Sequence, residues 1–276
     1  MTVCIAALCR EGDESRAVVA TDRMVTFPGF IEFEHATPKM LEASTRAIAM
    51  TAGDTLVGTR ISREVADSIT GTIPVLEIAQ RLAAHYDTTR KARMEQQILA
   101  PRGLDMGSYY GAHATLNGQI TLMIDQQMQQ FVLGVELLLA GADDTGAHIY
   151  SVQHPGRPEY LHDVIGYAAI GSGTIHAVQS MIGFGHTSNA DYQETVFRVY
   201  ASKRRSEVAP VVGLDTDMAV LSAEGIHRFS DDELAQLRTI YEEYQATTGE
   251  ALTKQLERFK LGEPKDEKGT EGDARD

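Results

Sequence analysis

Cysteine is scarce in this sequence, and the two cysteines are poorly placed for cross-linking. Cys4 and Cys9 lie five positions apart in one apolar segment near the start of the 276 residues. Side chains alternate between the two faces of a strand, so these thiols would point in opposite directions. A disulfide scaffold is therefore excluded, and we expect both thiols to be buried.

Positive charge is also in short supply. Lysine and arginine number 25 against 39 aspartates and glutamates, which gives a formal net charge of −14. Nucleic acids and anionic membrane surfaces are bound through clusters of lysine and arginine. The balance therefore argues against both of these partners.

Long hydrophobic runs are missing as well. The most apolar run, 131–141, contains Glu136 and is too short to span a bilayer. No basic segment followed by an apolar stretch stands at the N-terminus, so no signal peptide is predicted. We expect a soluble protein of the cytoplasm.

The sequence does contain the strand and helix patterns of an α+β fold. Hairpins are predicted at 3–8 with 16–21, 39–43 with 46–52 and 218–221 with 225–229, other strands at 111–116, 120–124, 131–142, 148–152 and 167–170, and helices at 55–68, 73–95, 174–181, 190–207, 230–246 and 249–260. Apolar hairpins buried on both faces, alternating with pairs of helices, predict two packed sheets with helices outside.

The composition indicates one domain over 1–262, followed by a charged tail. An unusual insert is expected at about 88–110, and the part over 94–108 has no clear period and is predicted to be a loop. The last residues, 263–276, are dominated by charge, glycine and proline, so this acidic tail is predicted to be disordered.

The pairing of the first two hairpins predicts a cluster of polar residues. In the first hairpin Asp22 falls beside Thr2 or Val3, and in the second Lys39 falls beside Thr51. Both charges adjoin apolar strands, where an unpaired charge is costly. Pairing Asp22 with Lys39 would remove this cost and bring Thr2 to the same place.

An N-terminal threonine has its own base, because an α-amine titrates near neutral pH and can accept the hydroxyl proton. This chemistry requires removal of Met1, which a small second residue such as Thr2 generally permits. A nearby Lys39 would disfavour protonation of the amine. Gly53, at a strand-to-helix turn, allows close approach of a substrate and offers an N–H to an oxyanion.

Five sequence segments carry a resemblance to a known family. They are 1–9 (MTVCIAALC), 20–26 (ATDRMVT), 38–40 (PKM), 49–54 (AMTAGD) and 169–174 (AIGSGT). In this order they resemble proteasome β-type subunits and their bacterial relatives, which are N-terminal-nucleophile hydrolases. The resemblance covers 2–60, returns over about 137–207 and extends weakly beyond.

The resemblance implies a four-layer αββα sandwich and a threonine peptidase. By position, Thr2 matches the nucleophile, Asp22 the acid that orients the lysine, Lys39 that lysine, and Gly53 the oxyanion glycine. Ser172 matches the serine that hydrogen-bonds near the N-terminal amine. The implied substrates are peptides or unfolded protein, and the implied assembly is a homo-oligomeric ring. No metal or organic cofactor is required, and whether an ATPase unfoldase is a partner stays open.

The sequence departs from the family pattern after the fourth helix. Where an acid and a serine are usual, this chain has 203–210 (KRRSEVAP), so Ser206, Glu207 and Asp215 are only candidates to complete the site. Two other functions stay open: a small-molecule amidase on the same fold, and a catalytically silent ring or scaffold subunit.

Overall fold

A computed structural model describes residues 2–27, 31–34, 39–159, 162–210 and 212–259. The chain forms two compact units, Met1–Leu234 and Ala235–Asp276. The first has a mixed α+β architecture, and the described part of the second is helical. The tail predicted at 263–276 lies outside the described residues.

The strands of the first unit form two five-stranded antiparallel sheets and one small hairpin. Their bounds are β1 Cys4–Glu11, β2 Glu14–Asp22, β3 Met24–Phe27, β4 Ile31–Glu34, β5 Met40–Ser44, β6 Ala47–Gly53, β7 Val135–Asp143, β8 Gly146–Gln153, β9 Arg157–Glu159, β10 Tyr167–Ile170, β11 Thr216–Ser222 and β12 Gly225–Arg228. One sheet has the order β10-β1-β2-β11-β12 and the other β5-β6-β7-β8-β9, while β3 pairs with β4. The prediction of an α+β fold with two antiparallel sheets is confirmed.

Helices contact both sheets. Their bounds are α1 Thr55–Asp67, α2 Val75–Met94, α3 Met106–Ala112, α4 Gly118–Gln129, α5 His162–Ile165, α6 Thr174–Gly183, α7 Tyr192–Ser206 and α8 Asp231–Leu256. Helices α1 and α2 pack on the sheet that contains β7, and α6 and α7 pack on the sheet that contains β1. Within the described residues, no helix is both long and apolar enough to cross a membrane.

The main core lies between the two sheets and follows from strand alternation. On β1, Cys4, Ala6 and Leu8 belong to a buried cluster that also contains Ile48 and Leu138 of the other sheet. The intervening residues of β1 are buried too, because α7 packs against this strand. Burial on both faces explains why β1 is a continuous run of apolar residues.

The registers predicted for the first two hairpins are confirmed. Cys4 pairs with Thr21 across β1 and β2, and Met40 pairs with Met50 across β5 and β6. These registers place the last residue of β2 and the residue before β5 at the open ends of their hairpins. The backbone positions of Asp22 and Lys39 are therefore those that the sequence predicts.

The predicted strands at 111–116 and 120–124 are wrong, as is the predicted loop over 94–108. The chain there forms a π-helical turn, Glu95–Leu99, a 3₁₀ turn, Ala100–Arg102, and helices α3 and α4. The Asp105 side chain caps α3, and the Asn117 side chain caps α4. These caps were sequence signals for helix starts, but the β-branched and apolar residues after them favoured a strand interpretation.

The helices of this segment are stabilised by a core of their own. Ile124 and Met128, four residues apart on one side of α4, pack with Tyr109, Met94 and Leu99. The spacing is that of a helix face rather than of a strand. Farther along the chain, the predicted break between 246 and 249 is wrong, because α8 is continuous there.

Candidate active site

Thr2, Asp22 and Lys39 meet at the open end of the first hairpin. The Thr2 hydroxyl donates a hydrogen bond to Asp22 Oδ1, and Lys39 Nζ donates to the same hydroxyl oxygen. Lys39 Nζ also lies 3.0 Å from Asp22 Oδ1, and the two side chains are 4% and 0% exposed. The structure thus contains the ion pair expected from the hairpin registers, with the threonine hydroxyl in contact with both charges.

Backbone amides fix the Asp22 carboxylate in place. Its Oδ1 accepts from the Val3 N–H at 2.9 Å, and its Oδ2 accepts from the N–H groups of Met24 at 3.0 Å and Gly213 at 3.1 Å. Hydrogen bonds from several donors offset the cost of burying a carboxylate. Asp22 therefore orients Lys39 from a rigid position.

The turn after β10, the edge strand that pairs with β1, lies far from Thr2 in sequence and contacts it in the structure. Ser172 Oγ and the Gly173 N–H both donate to the Thr2 carbonyl oxygen, each at 3.3 Å. Gly171 has φ +91°, and a Cβ at this position would collide with the same carbonyl oxygen. Ser172 is therefore next to Thr2, and its hydroxyl contacts the carbonyl oxygen of that residue.

Gly53 ends β6 and has a structural reason to be glycine. Its φ is +85°, and a Cβ there would collide with the carbonyl oxygen of Gly134. The following residue, Asp54, caps α1 by accepting from the Val57 N–H at 3.2 Å. This turn at the head of a helix leaves Gly53 at the wall of a cleft.

The cleft has a volume of about 460 Å³, and three of the five predicted site residues lie in its wall. Its lining includes Thr2, Gly53, Val132, Glu136, His154, Gly171 and Ser172. Asp22 and Lys39 lie behind Thr2, where they touch its hydroxyl. A ligand in the cleft would therefore meet Thr2, while the ion pair stays buried behind it.

Glu136 is a cleft residue that the sequence analysis did not assign to the site. It lies on β7 opposite Ala52, and its Oε2 accepts from the Gly171 N–H at 2.8 Å. The available signal was its presence as an acid within an apolar run. An acid in such a run is costly to bury, and this indicates a partner or a function.

Lys203 on α7 is a second residue that was missed, and its side chain is completely buried. Its Nζ donates to Glu207 Oε1 at 2.7 Å and to the carbonyl oxygens of Gly213 at 2.9 Å and Leu214 at 2.8 Å. Burial lowers the pKa of Lys203, and the bond to Glu207 opposes this effect. Because the Gly213 N–H binds Asp22, Lys203 supports the Asp22 carboxylate through this loop.

The three residues left as candidates have different surroundings. Glu207 is the ion-pair partner of Lys203. Ser206 is buried and donates to the Ser202 carbonyl oxygen at 2.7 Å, so its hydroxyl is used within α7. Asp215 lies beside Glu34, and burial together with their shared hydrogen bond raises the pKa of Asp215. None of these described residues lines the cleft beside Thr2.

The cysteines are buried as expected and are poor nucleophiles. Burial raises the pKa of Cys4 and of Cys9 to about 12 in each case. The thiolate is the reactive form of cysteine, and it is scarce at neutral pH when the pKa is this high. Although Cys4 is two residues from Thr2, the threonine hydroxyl is the better candidate for the nucleophile.

In the ranges that the structure describes, no group of three or more His, Cys, Asp or Glu side chains is arranged to hold a metal ion. No protein-family model matches this chain, and no curated protein is significantly similar to it. The geometry of the site and the resemblance of the five sequence segments are therefore the features that bear on function.

Proposed function

We propose that this chain is a proteasome-type N-terminal-nucleophile hydrolase with a four-layer αββα fold. It would hydrolyse peptide bonds through an acyl-enzyme on Thr2. The packing of α1 and α2 on one sheet and of α6 and α7 on the other supports the layered arrangement. The observation that carries the proposed activity is the contact of the Thr2 hydroxyl with the buried Asp22–Lys39 pair.

The proposed reaction begins after cleavage before Thr2 frees its α-amine. The Thr2 hydroxyl oxygen attacks the amide carbon, and the free α-amine accepts the hydroxyl proton. The cation of Lys39 stabilises the developing negative charge on the hydroxyl oxygen and disfavours protonation of the amine beforehand. Asp22 holds Lys39 in this position by the 3.0 Å ion pair.

The tetrahedral intermediate would place its oxyanion against the Gly53 N–H. Stabilisation by a fixed donor is among the largest contributions to such reactions. When the intermediate collapses, the C–N bond breaks and the α-amine returns the proton to the leaving amine. Water then attacks the ester on Thr2, and its proton passes through the α-amine to restore the threonine hydroxyl.

The two alternatives lead to different expectations. The cleft volume of about 460 Å³ lies within the range of small-ligand sites, which favours the small-molecule amidase as a second candidate. A silent ring or scaffold subunit would keep the same fold without turnover. Both alternatives have the same Thr2 site as the proposed peptidase. Reactivity of Thr2 separates the silent subunit from the two enzymes, and substrate length separates the amidase from the peptidase.

Covalent labelling tests the proposal directly. Intact-mass measurement should show a protein that begins at Thr2, and an uncharged β-lactone should attach to this residue. Thr2→Ala should abolish labelling and hydrolysis, whereas Thr88→Ala, at an exposed position of α2, should keep both. A fully retained Met1 in active protein, or labelling of a cysteine, would contradict the threonine mechanism.

A further inference from the structure

The cleft beside Thr2 has an acidic wall. Glu136 lines the cleft, and none of the described residues that line it is a lysine or an arginine. The whole chain is acidic as well, with a formal net charge of −14. A site with one sign of charge attracts ligands of the opposite sign and raises their local concentration.

Glu136 differs from the other acids that are removed from solvent near the site. Asp22 pairs with Lys39, Asp217 with Arg23, and Glu207 with Lys203. By contrast, no ion pair joins Glu136 to a cation within the described part of the chain, although its side chain is half-buried. Its Oε2 binds the Gly171 N–H, and its Oε1 receives no hydrogen bond from the described residues.

The position of Glu136 is rigid and close to the reacting groups. It lies on β7, the central strand of its sheet, opposite Ala52 and therefore beside Gly53 in the next position. Gly171, which donates to Glu136, is packed against the Thr2 carbonyl oxygen. The carboxylate thus lies in the cleft that the proposed nucleophile and the proposed oxyanion donor also line.

We propose that Glu136 selects substrates with a cationic side chain, lysine or arginine, next to the scissile bond. This inference rests on the proposed function, because it assigns the substrate class of the same cleft. A lysine or arginine side chain would supply the donors that Glu136 Oε1 lacks and neutralise a half-buried carboxylate. The bond from Gly171 keeps this carboxylate oriented without neutralising it.

The test compares internally quenched peptides that differ only at the residues flanking the cleaved bond. Lysine is placed on the acyl side, on the amine side or on neither, and norleucine replaces it in the controls. We expect kcat/KM to be at least about tenfold higher for the lysine peptide than for its norleucine counterpart, as for a charge pair partly removed from water. Added salt should reduce this preference.

Two variants assign the preference to Glu136. Glu136→Gln keeps an acceptor for the Gly171 N–H and removes the charge, so the lysine preference should fall to about onefold while β-lactone labelling of Thr2 persists. Glu64→Gln makes the same change at an exposed position of α1 and should keep the preference. If Glu136→Gln does not fold, the salt dependence of the unaltered protein still tests the charge.

The outcomes separate this inference from the proposed function. Labelling of Thr2 together with equal cleavage of lysine and norleucine peptides overturns the role of Glu136 and leaves the threonine mechanism in place. A lysine preference that survives in Glu136→Gln also overturns it. Absence of both labelling and cleavage overturns the proposed function, and this inference with it.

Discussion

Lys39 Nζ lies 3.0 Å from Asp22 Oδ1, and the two side chains are almost completely withdrawn from solvent. A buried ion pair of this kind adds little stability compared with apolar residues of the same volume, but loss of one partner is costly. The proposed function gives the pair beside the threonine hydroxyl a role in reactivity, which a stability measurement alone would not detect.

Removing the cation alone should damage both stability and activity, to different degrees. Lys39→Met leaves Asp22 buried without its cation, which should cost about 3–5 kcal/mol of unfolding free energy. Asp22 keeps three backbone N–H donors, which still stabilise its charge. We therefore expect the loss of unfolding free energy to lie near the lower end of this range. Hydrolysis and β-lactone labelling should fall by far more, about 100-fold or greater, as on removal of an electrostatic stabiliser.

The double variant Asp22→Asn with Lys39→Met separates the two effects. It should recover part of the lost stability, since no buried charge is left unpaired, and none of the activity. Lys91→Met, at a lysine that is 62% exposed on α2, is the matched control and should leave both unchanged. Chemical denaturation and peptide hydrolysis measure the two quantities, and recovery of activity in the double variant would contradict the assigned roles.

Lys203 should be important for stability although it does not line the cleft. Lys203→Met leaves Glu207 without its main cation and the carbonyl oxygens of Gly213 and Leu214 without their donor. We expect a loss of about 3–5 kcal/mol by denaturant unfolding. Adding Glu207→Gln should restore part of it, because the carboxylate that has lost Lys203 and keeps only Arg204 as a cation is then removed. A loss below about 1 kcal/mol in the single variant would contradict this account.

His148 should make stability dependent on pH. The hydrogen bond to Asp163 Oδ2, 2.7 Å long, is the main reason that the pKa of His148 is raised above its ordinary value of 6.5. A raised pKa in the folded state means that the stabilisation is fully present below about pH 6.5. It is lost as the pH rises through the folded-state pKa.

Comparison of thermal unfolding at pH 5.5 and pH 8 tests this sign. His148→Gln should lower the midpoint more at pH 5.5 than at pH 8, by the equivalent of about 1 kcal/mol or less for a partly exposed pair. Asp163→Asn should remove the same pH-dependent component. A larger effect of His148→Gln at pH 8 than at pH 5.5 would show that the ion pair is not the cause.

The resemblance to proteasome β-type subunits also predicts self-assembly. We expect a closed homo-oligomer, ring-shaped like the assemblies of that family, since closed symmetry is the usual arrangement of identical subunits. Light scattering at micromolar concentration should give a mass that is a multiple of 30.2 kDa. A monomeric mass under these conditions would count against the ring.

The first two hairpins, and much of what they position, follow from the amino-acid sequence alone. Apolar strands joined by short polar turns fix their registers locally, so the sequence alone predicts that Asp22, Lys39 and Thr2 lie together. The strands predicted from local patterns over 111–124 are wrong, because the short apolar stretches there fit a strand and a helix equally well. The caps at Asp105 and Asn117 and the shared core with α2 favour the helix.

The distant residues that complete the cleft come together only through tertiary contacts. Pairing of β10 with β1 brings the turn at Gly171 onto Thr2, and packing of the two sheets places Glu136 against that turn. The loop at Gly213 reaches Asp22 because β11 pairs with β2, and the buried Lys203 holds this loop in place. These contacts join residues far apart in sequence and depend on how whole sheets and helices pack, which no local pattern of side chains specifies.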